Sequence, residues 1–199
     1  MHVSNEIAKG NLTLSSLDSL LNIEDSVYDI NDIRMYFTSN HDENSWNGTT
    51  YERYDSTHHL QTLLAFTMPG MPLLYNGQES AMNKRLRFFE KDTILWGDYI
   101  LKDYYSKLLK LRVENSAMWS GDTNNIFEKL NLNNEKLFAY KRFNKSDEIY
   151  VFLNFSNDTL PIEGVSLTGD YYDLMGGDEL KNLDEILLSP LDGKIIVKK

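Results

Sequence analysis

FTSNHD at residues 37–42 and GMPLLYNGQE at residues 70–79 both look like a strand that ends by placing polar side chains in a cleft. The first strand is predicted over residues 34–39, where aromatic and β-branched types form a run bounded by polar loops. The second strand is predicted over residues 72–75, followed by a turn at residues 76–77. Both strands are predicted to be buried.

A helix is predicted between these two strands. Leu60, Leu63 and Leu64 recur at helical spacing, and the Pro-Gly pair at residues 69–70 ends the pattern. Strand, helix and strand at this separation predict a parallel crossover unit. In a parallel β/α barrel the catalytic groups lie in the loops that follow the strands, so the polar ends are the candidate site.

The second half of the chain has a different pattern. A helix predicted to begin at Asp98 precedes a series of short segments with period-two alternation, which starts beyond residue 115. Strands are predicted at residues 137–143, 148–155, 160–167, 171–174, 186–188 and 195–197. They indicate an antiparallel β-sandwich, so the fold class is α/β over residues 1–117 followed by all-β over residues 118–199.

Composition excludes several classes of function. The net charge of -10 argues against nucleic acid and anionic membrane surfaces, which need clustered Lys and Arg. No run approaches the roughly 18 apolar residues of a membrane span, and the first five residues lack the features of a signal peptide. Cys is absent, which excludes disulfides, a thiolate nucleophile and thiolate metal sites. A neutral substrate suits this composition.

The two strand ends resemble those of the seventh and eighth barrel strands in the α-amylase family of glycoside hydrolases, family 13. That family has Phe, a variable pair and Asn-His-Asp after the seventh strand, and residues 37–42 match it at each fixed position. Its eighth strand reads roughly Gly-x-Pro-x-x-Tyr-x-Gly-x-Glu, which residues 70–79 satisfy. The resemblance implies the last strands and helices of a TIM (β/α)8 barrel over residues 1–117 and the C-terminal β-sandwich over residues 118–199.

The resemblance also implies roles for side chains after the first strand. Asp42 would be the transition-state stabiliser, which holds two sugar hydroxyls while the ring flattens toward an oxocarbenium ion. His41 and Asn40 would bind substrate. Trp46, in the loop that follows, could stack on a glucose face or pack under the loop. Glu79 is expected to be structural, bonding neighbouring loops.

Only one of the family's three acidic site residues is found. The nucleophilic Asp and the acid/base Glu follow the fourth and fifth strands in the family, and neither motif precedes Arg34. The resemblance therefore implies the C-terminal part of a retaining α-glucan hydrolase that cleaves α-1,4-glucosidic bonds in starch or maltooligosaccharides. The isolated chain is expected to be inactive, because retaining hydrolysis needs a nucleophile and a proton donor about 5 Å apart.

Other functions remain open. A sibling of the same family could cleave α-1,6 bonds, isomerise or transglycosylate, and loops outside this chain would decide between them. A non-catalytic carbohydrate-binding module would use the sandwich as its working part, and a scaffold domain would only pack against a barrel. An Asn-His-Asp tripeptide is also typical of a solvated turn when it stands alone.

The expected partners follow from the same resemblance. They are an α-glucan, the missing N-terminal part of the barrel and, through exposed barrel edges, a second copy of the chain. No cofactor is expected in this chain, and calcium is an option in the full-length enzyme. Resemblance alone favours a periplasmic or secreted location.

Overall fold

The computed structural model describes residues 2–29, 31–180, 183 and 186–199. The helices of this part of the chain are α1 His2–Ala8, α2 Leu14–Val27, α3 Thr50–Tyr54, α4 His58–Thr67 and α5 Lys102–Glu114. The strands are β1 Met35–Phe37, β2 Met71–Leu73, β3 Ile126–Leu130, β4 Leu137–Phe143, β5 Glu148–Asn154, β6 Leu160–Pro161, β7 Tyr171–Asp173, β8 Glu179–Leu180, β9 Leu187–Leu188 and β10 Gly193–Lys198.

The predicted parallel crossover unit is confirmed. Strands β1 and β2 pair in parallel, with Met35 opposite Met71 and Phe37 opposite Leu73, and α4 connects them. Both strands are shorter than predicted and only half buried, because no other described strand pairs with their outer edges. Gly70 allows the close approach at the start of the pair, since a Cβ there would lie 2.5 Å from the Arg34 carbonyl oxygen.

Helix α4 lies at the centre of the molecule. Every residue from Leu60 to Thr67 is buried, because one side of the helix contacts β1 and β2 while another contacts β5 and β10. The helix ends at Thr67, directly before Met68 and the Pro-Gly pair, as the sequence predicts. A single apolar cluster therefore joins the α/β part to the β-sheet.

The C-terminal half is an antiparallel sheet with a small second sheet against it. The six strands run in the order β3-β4-β5-β10-β7-β8, and β6 pairs with β9 separately. Alternate residues of the central strands face opposite ways: Phe138 and Val151 face the helices, whereas Ala139 and Phe152 face the β6-β9 side. The predicted fold class, α/β followed by an antiparallel β-sandwich, is confirmed.

Several predicted boundaries were wrong. The last helix begins at Lys102 and not near Asp98. The strand predicted over residues 160–167 ends at Pro161, and Gly164 then turns with a φ of +78°. Helix α1 and strands β3 and β8 were not predicted, because segments this short carry little periodic signal.

Arg142 joins the sheet to the C-terminal end of α4. It lies on β4, is 2% exposed, and donates hydrogen bonds of 3.2 Å to the carbonyl oxygens of Thr67 and Met68. The hydroxyls of Tyr140 and Thr67 form a further buried bond beside it. Burial, together with the charge of Arg112, lowers the pKa of Arg142 to about 10, so it stays charged at neutral pH. A cation is favourable here because the carbonyl end of a helix is negative.

The boundary between residues 117 and 118 stays a prediction. In the described part of the chain, none of the helices has the length and apolar character that crossing a lipid bilayer requires.

Candidate active site

The ends of β1 and β2 are tied together by hydrogen bonds. Gln78, in the turn after β2, donates from Nε2 to the hydroxyl of Thr38 at 2.7 Å. The same carboxamide accepts a 2.7 Å bond from the backbone N–H of Tyr75. Thr38 and Gln78 are both buried. Their hydrogen bond brings together the two polar strand ends that the sequence singled out, at the same end of the parallel pair.

Arg53 fixes the loop after β1 from the side of α3. Its guanidinium donates to the carbonyl oxygen of Thr38 at 3.0 Å and forms an ion pair of 2.8 Å with Glu43. Helix α3 is itself held by a capping box, in which Thr49 and Glu52 bond each other's backbone N–H. The loop that carries His41 and Asp42 is therefore braced at both ends.

The structure places Asn40, His41 and Asp42 where the chain begins a short helical turn. The Asn40 carboxamide oxygen accepts the backbone N–H of Glu43 at 2.8 Å, which gives Asn40 a capping role beside its predicted substrate-binding role. His41 Nε2 and Asp42 Oδ2 lie 3.5 Å apart, and the two side chains are 69% and 58% exposed. They present a carboxylate and an imidazole to an incoming ligand, which are groups suited to bonding hydroxyls.

Trp46 lies on the surface of the next turn and packs against two phenylalanines that the sequence did not single out. It is 57% exposed, and its ring centroid lies 5.2 Å from that of Phe88 and 6.0 Å from that of Phe89. Phe88 also stacks on His41, with 6.0 Å between ring centroids. Residues 80–97 have no helical or strand periodicity, so no pattern in that segment placed these rings beside the site.

The segment that carries Phe88 and Phe89 is anchored to the loop after β1. Buried Asn44 donates to the carbonyl oxygen of Lys84 at 3.1 Å and accepts the N–H of Leu86 at 2.7 Å. Lys84 pairs with Asp92 at 2.5 Å and, with backbone N–H donors, holds the pKa of that carboxyl at about 2. Asp92 is therefore ionised at neutral pH, and its ion pair with Lys84 is formed there.

Glu79 contacts the segment before α5 through its backbone. Its backbone carbonyl oxygen accepts the N–H of Leu101 at 3.0 Å, and the structural role expected of its side chain stays a prediction. Its Oε2 atom is buried and has no hydrogen-bond partner among the described residues. A buried carboxylate oxygen of this kind has acceptor capacity left for a further donor.

A cavity of about 380 Å³ lies at the other end of the parallel pair, away from these residues. It is lined by residues that precede β1 and β2, such as Arg34 and Gly70, and by Trp119 and Arg142. None of the predicted site residues lines it. Nor do the described residues include a group of three or more His, Cys, Asp or Glu placed to hold a metal ion.

Comparison with known proteins identifies relatives in one family. Alpha-amylase 2 of Dictyoglomus thermophilum is 23% identical over 192 residues, 90% of this chain and 32% of the relative. Alpha-amylase MalA of Haloarcula japonica is 29% identical over 79% of this chain and 24% of its own length. The 1,4-alpha-glucan branching enzyme GlgB of Cutibacterium acnes is 32% identical over 63% of this chain and 22% of its own length. No family model matches the chain.

Solved structures show the same fold. An alpha-amylase from Lactobacillus plantarum superposes on 98% of this chain with a TM-score of 0.75 and 17% identity, and the match covers 45% of that protein. The maltogenic alpha-amylase AmyB from Thermotoga neapolitana superposes on 97% of this chain with a TM-score of 0.72 and 21% identity, covering 47% of it.

These relatives confirm the resemblance that the sequence indicated. The chain spans less than a third of the length of each of the three curated relatives, which agrees with a C-terminal portion. The roles of Asn40, His41, Asp42 and Trp46 stay predictions.

Proposed function

We propose that this chain, a homologue of α-amylases and of a glucan branching enzyme, is the C-terminal part of a retaining α-glucan hydrolase. The substrate would be an α-1,4-linked glucan such as starch or a maltooligosaccharide. The observation that carries the proposal is that His41 and Asp42 lie in the loop after β1, which pairs in parallel with β2, at the end where Thr38 and Gln78 join the two strands.

In this proposal Asp42 stabilises the transition state. Its carboxylate accepts hydrogen bonds from two hydroxyls of the sugar ring, and these bonds strengthen as positive charge develops on the ring. His41, 3.5 Å away, binds a neighbouring hydroxyl and orients the ring. Both side chains keep their place because Arg53 and Asn40 fix the backbone on either side of them.

Asp42 by itself supplies neither the nucleophile nor the proton donor. Glu43, the adjacent carboxylate, is engaged by Arg53 at 2.8 Å and lies beside Asp42 in sequence, so it has no position across a scissile bond. We propose that both missing groups belong to an N-terminal part of the barrel and that the chain alone is inactive. Calcium, if the full-length enzyme uses it, would be held outside the residues described here.

The outer edges of β1 and β2 are the place where that N-terminal part would join. In the described residues neither edge has a second strand partner. Unpaired backbone donors and acceptors on an edge favour pairing with another strand. We propose that the remainder of the barrel pairs with these edges, and a second copy of the chain is the alternative occupant.

A transglycosylase of the same family is the second candidate. The relative with 32% identity is named a branching enzyme, and such an enzyme would use the same site residues with a sugar in place of water as acceptor. The loops that choose between water and sugar would lie in the rest of the barrel.

The experiment that tests the proposal follows the products formed by the protein in which this chain is joined to the rest of its barrel. With maltoheptaose as substrate, NMR should show shorter maltooligosaccharides whose new reducing ends are first in the α configuration, because double displacement retains configuration. Longer or branched products would favour the transglycosylase. Products first in the β configuration, or no reaction on any α-glucan, would contradict the proposal.

A further inference from the structure

The cavity at the end of the parallel pair opposite His41 and Asp42 has the size of a small-molecule site. Its volume is about 380 Å³, and pockets that hold small ligands start at about 300 Å³. Its walls come from α2, from the residues before β1 and β2, from residues 119–127 and from β4. Leu21, Ile33 and Phe127 give it an apolar lining, to which charged side chains are added.

Arg142 forms the floor of this cavity, since it is among the lining residues and only 2% exposed. Its Nη1 atom donates to the carbonyl oxygens of Thr67 and Met68. Its Nε atom is buried and has no hydrogen-bond partner in the part of the chain that the structure describes. Buried donors without an acceptor are rare in folded proteins, so this guanidinium has donor capacity left for a ligand.

Arg112 adds a second cation at the same place. Its Nη2 atom donates to the carbonyl oxygen of Gly70 and, at 2.9 Å, to the hydroxyl of Ser120, and both of these residues line the cavity. Its Nη1 atom is buried without a partner among the described residues. The charge of Arg112 contributes to the lowered pKa of Arg142, because the two guanidiniums lie near each other. Neither forms an ion pair with a described carboxylate, so together they favour an anionic group.

The entrance of the cavity has the opposite charge. Its carboxylates without an ion pair to a described residue are more exposed than Arg142, and we call them the rim: Asp25, Asp29, Asp32 and Asp122. The remaining carboxylate of the lining, Glu24, is paired with Arg34 at 2.6 Å. A simple anion would be repelled by the rim and a simple cation by the floor. A ligand with both charges would be attracted by each.

We infer that this cavity binds a small zwitterion, with its carboxylate on the guanidiniums of Arg142 and Arg112 and its ammonium group at the rim. A free amino acid with an apolar side chain has this chemistry. The carboxylate would accept the N–H groups that now lack a partner, and the apolar side chain would pack against Leu21 and Ile33. The inference goes beyond the proposed function, because no residue at the end of β1 takes part in it.

The test compares leucine, 4-methylpentanoate and isopentylamine as ligands of the full 199-residue chain by NMR titration. The second ligand lacks the ammonium group and the third lacks the carboxylate. Leucine should bind with a Kd of about 1 mM or below, and each of the others at least about tenfold more weakly. The indole N–H resonance of Trp119, which lines the cavity, should shift on binding, whereas those of Trp46 and Trp96 should not.

A rim variant tests the site without touching the buried arginines. Asp25→Asn combined with Asp32→Asn removes two exposed negative charges, so the fold should be kept. The Kd for leucine should rise about five- to tenfold, whereas 4-methylpentanoate should bind as before or more tightly, because the rim repels it. Asp98→Asn combined with Asp103→Asn removes two exposed charges outside the cavity and is the matched control.

Three results would overturn the inference. The first is that leucine does not bind at about 50 mM, or binds no better than the two singly charged ligands. The second is an equal Kd for leucine in the rim variant and in the wild type. The third is binding to the 199-residue chain that is lost in the protein in which this chain is joined to the rest of its barrel, since that part would then occupy the cavity.

Discussion

Asp42→Asn should lower kcat on maltoheptaose by about 10³-fold in the protein that joins this chain to the rest of its barrel, with Kd for the substrate changed only a fewfold. The amide keeps the shape of the carboxylate but loses the negative charge that would face the developing oxocarbenium ion. The interaction strengthens mainly in the transition state, so rate should fall far more than affinity. Single-turnover kinetics and a separate binding measurement check the two parts of this prediction.

Asp103→Asn is the matched control for that experiment. Asp103 is exposed in the first turn of α5, away from the loop after β1, so its variant should keep wild-type kcat. An Asp42→Asn enzyme with near wild-type turnover would remove Asp42 from the mechanism. Equal losses in binding and in rate would instead make it an ordinary substrate ligand.

Arg142→Met should destabilise the fold by about 2–4 kcal/mol. Methionine fills much of the same volume but leaves the carbonyl oxygens of Thr67 and Met68 buried without the donor that they have now. Losing the desolvation cost of the guanidinium offsets part of this effect. Because the bonds connect β4 to the end of α4, the loss should appear in the global unfolding transition. Urea denaturation followed by circular dichroism measures it.

Lys141→Met provides the comparison for Arg142→Met. Lys141 is the preceding residue on β4, is less deeply buried, and forms a 3.3 Å ion pair with Glu128 near the surface. Its removal should cost less than about 1 kcal/mol, as is usual for exposed pairs. If Arg142→Met and Lys141→Met had the same free energy of unfolding, the bonds from Arg142 to the C-terminal end of α4 would not stabilise the fold.

The sequence predicts the parallel unit well because its signals are local and independent. Leucines at helical spacing, the Pro-Gly pair at residues 69–70 and two short apolar runs agree on one arrangement. Burial was overestimated for β1 and β2. The burial of a strand depends on which strands lie beside it, and the residue pattern within 34–39 or 72–75 carries no information about those neighbours.

The site could be predicted only in part. Asn40, His41 and Asp42 are adjacent in sequence and carry a recognisable motif, whereas Trp46 and Phe88 pack together although they lie more than forty positions apart. Their packing depends on Asn44, a single buried side chain whose bonds to Lys84 and Leu86 have no sequence signature. Arg142 was missed for a similar reason, since an Arg in a strand pattern reads as an exposed position.

A crystal structure of the 199-residue chain soaked with maltoheptaose tests most directly whether the end of β1 is a sugar site. We expect hydroxyls of one glucose ring within about 3 Å of the Asp42 carboxylate and the His41 imidazole. A sugar bound only on the β-sandwich, with His41 and Asp42 untouched, would contradict a glycosidase site at this strand end and favour a carbohydrate-binding module.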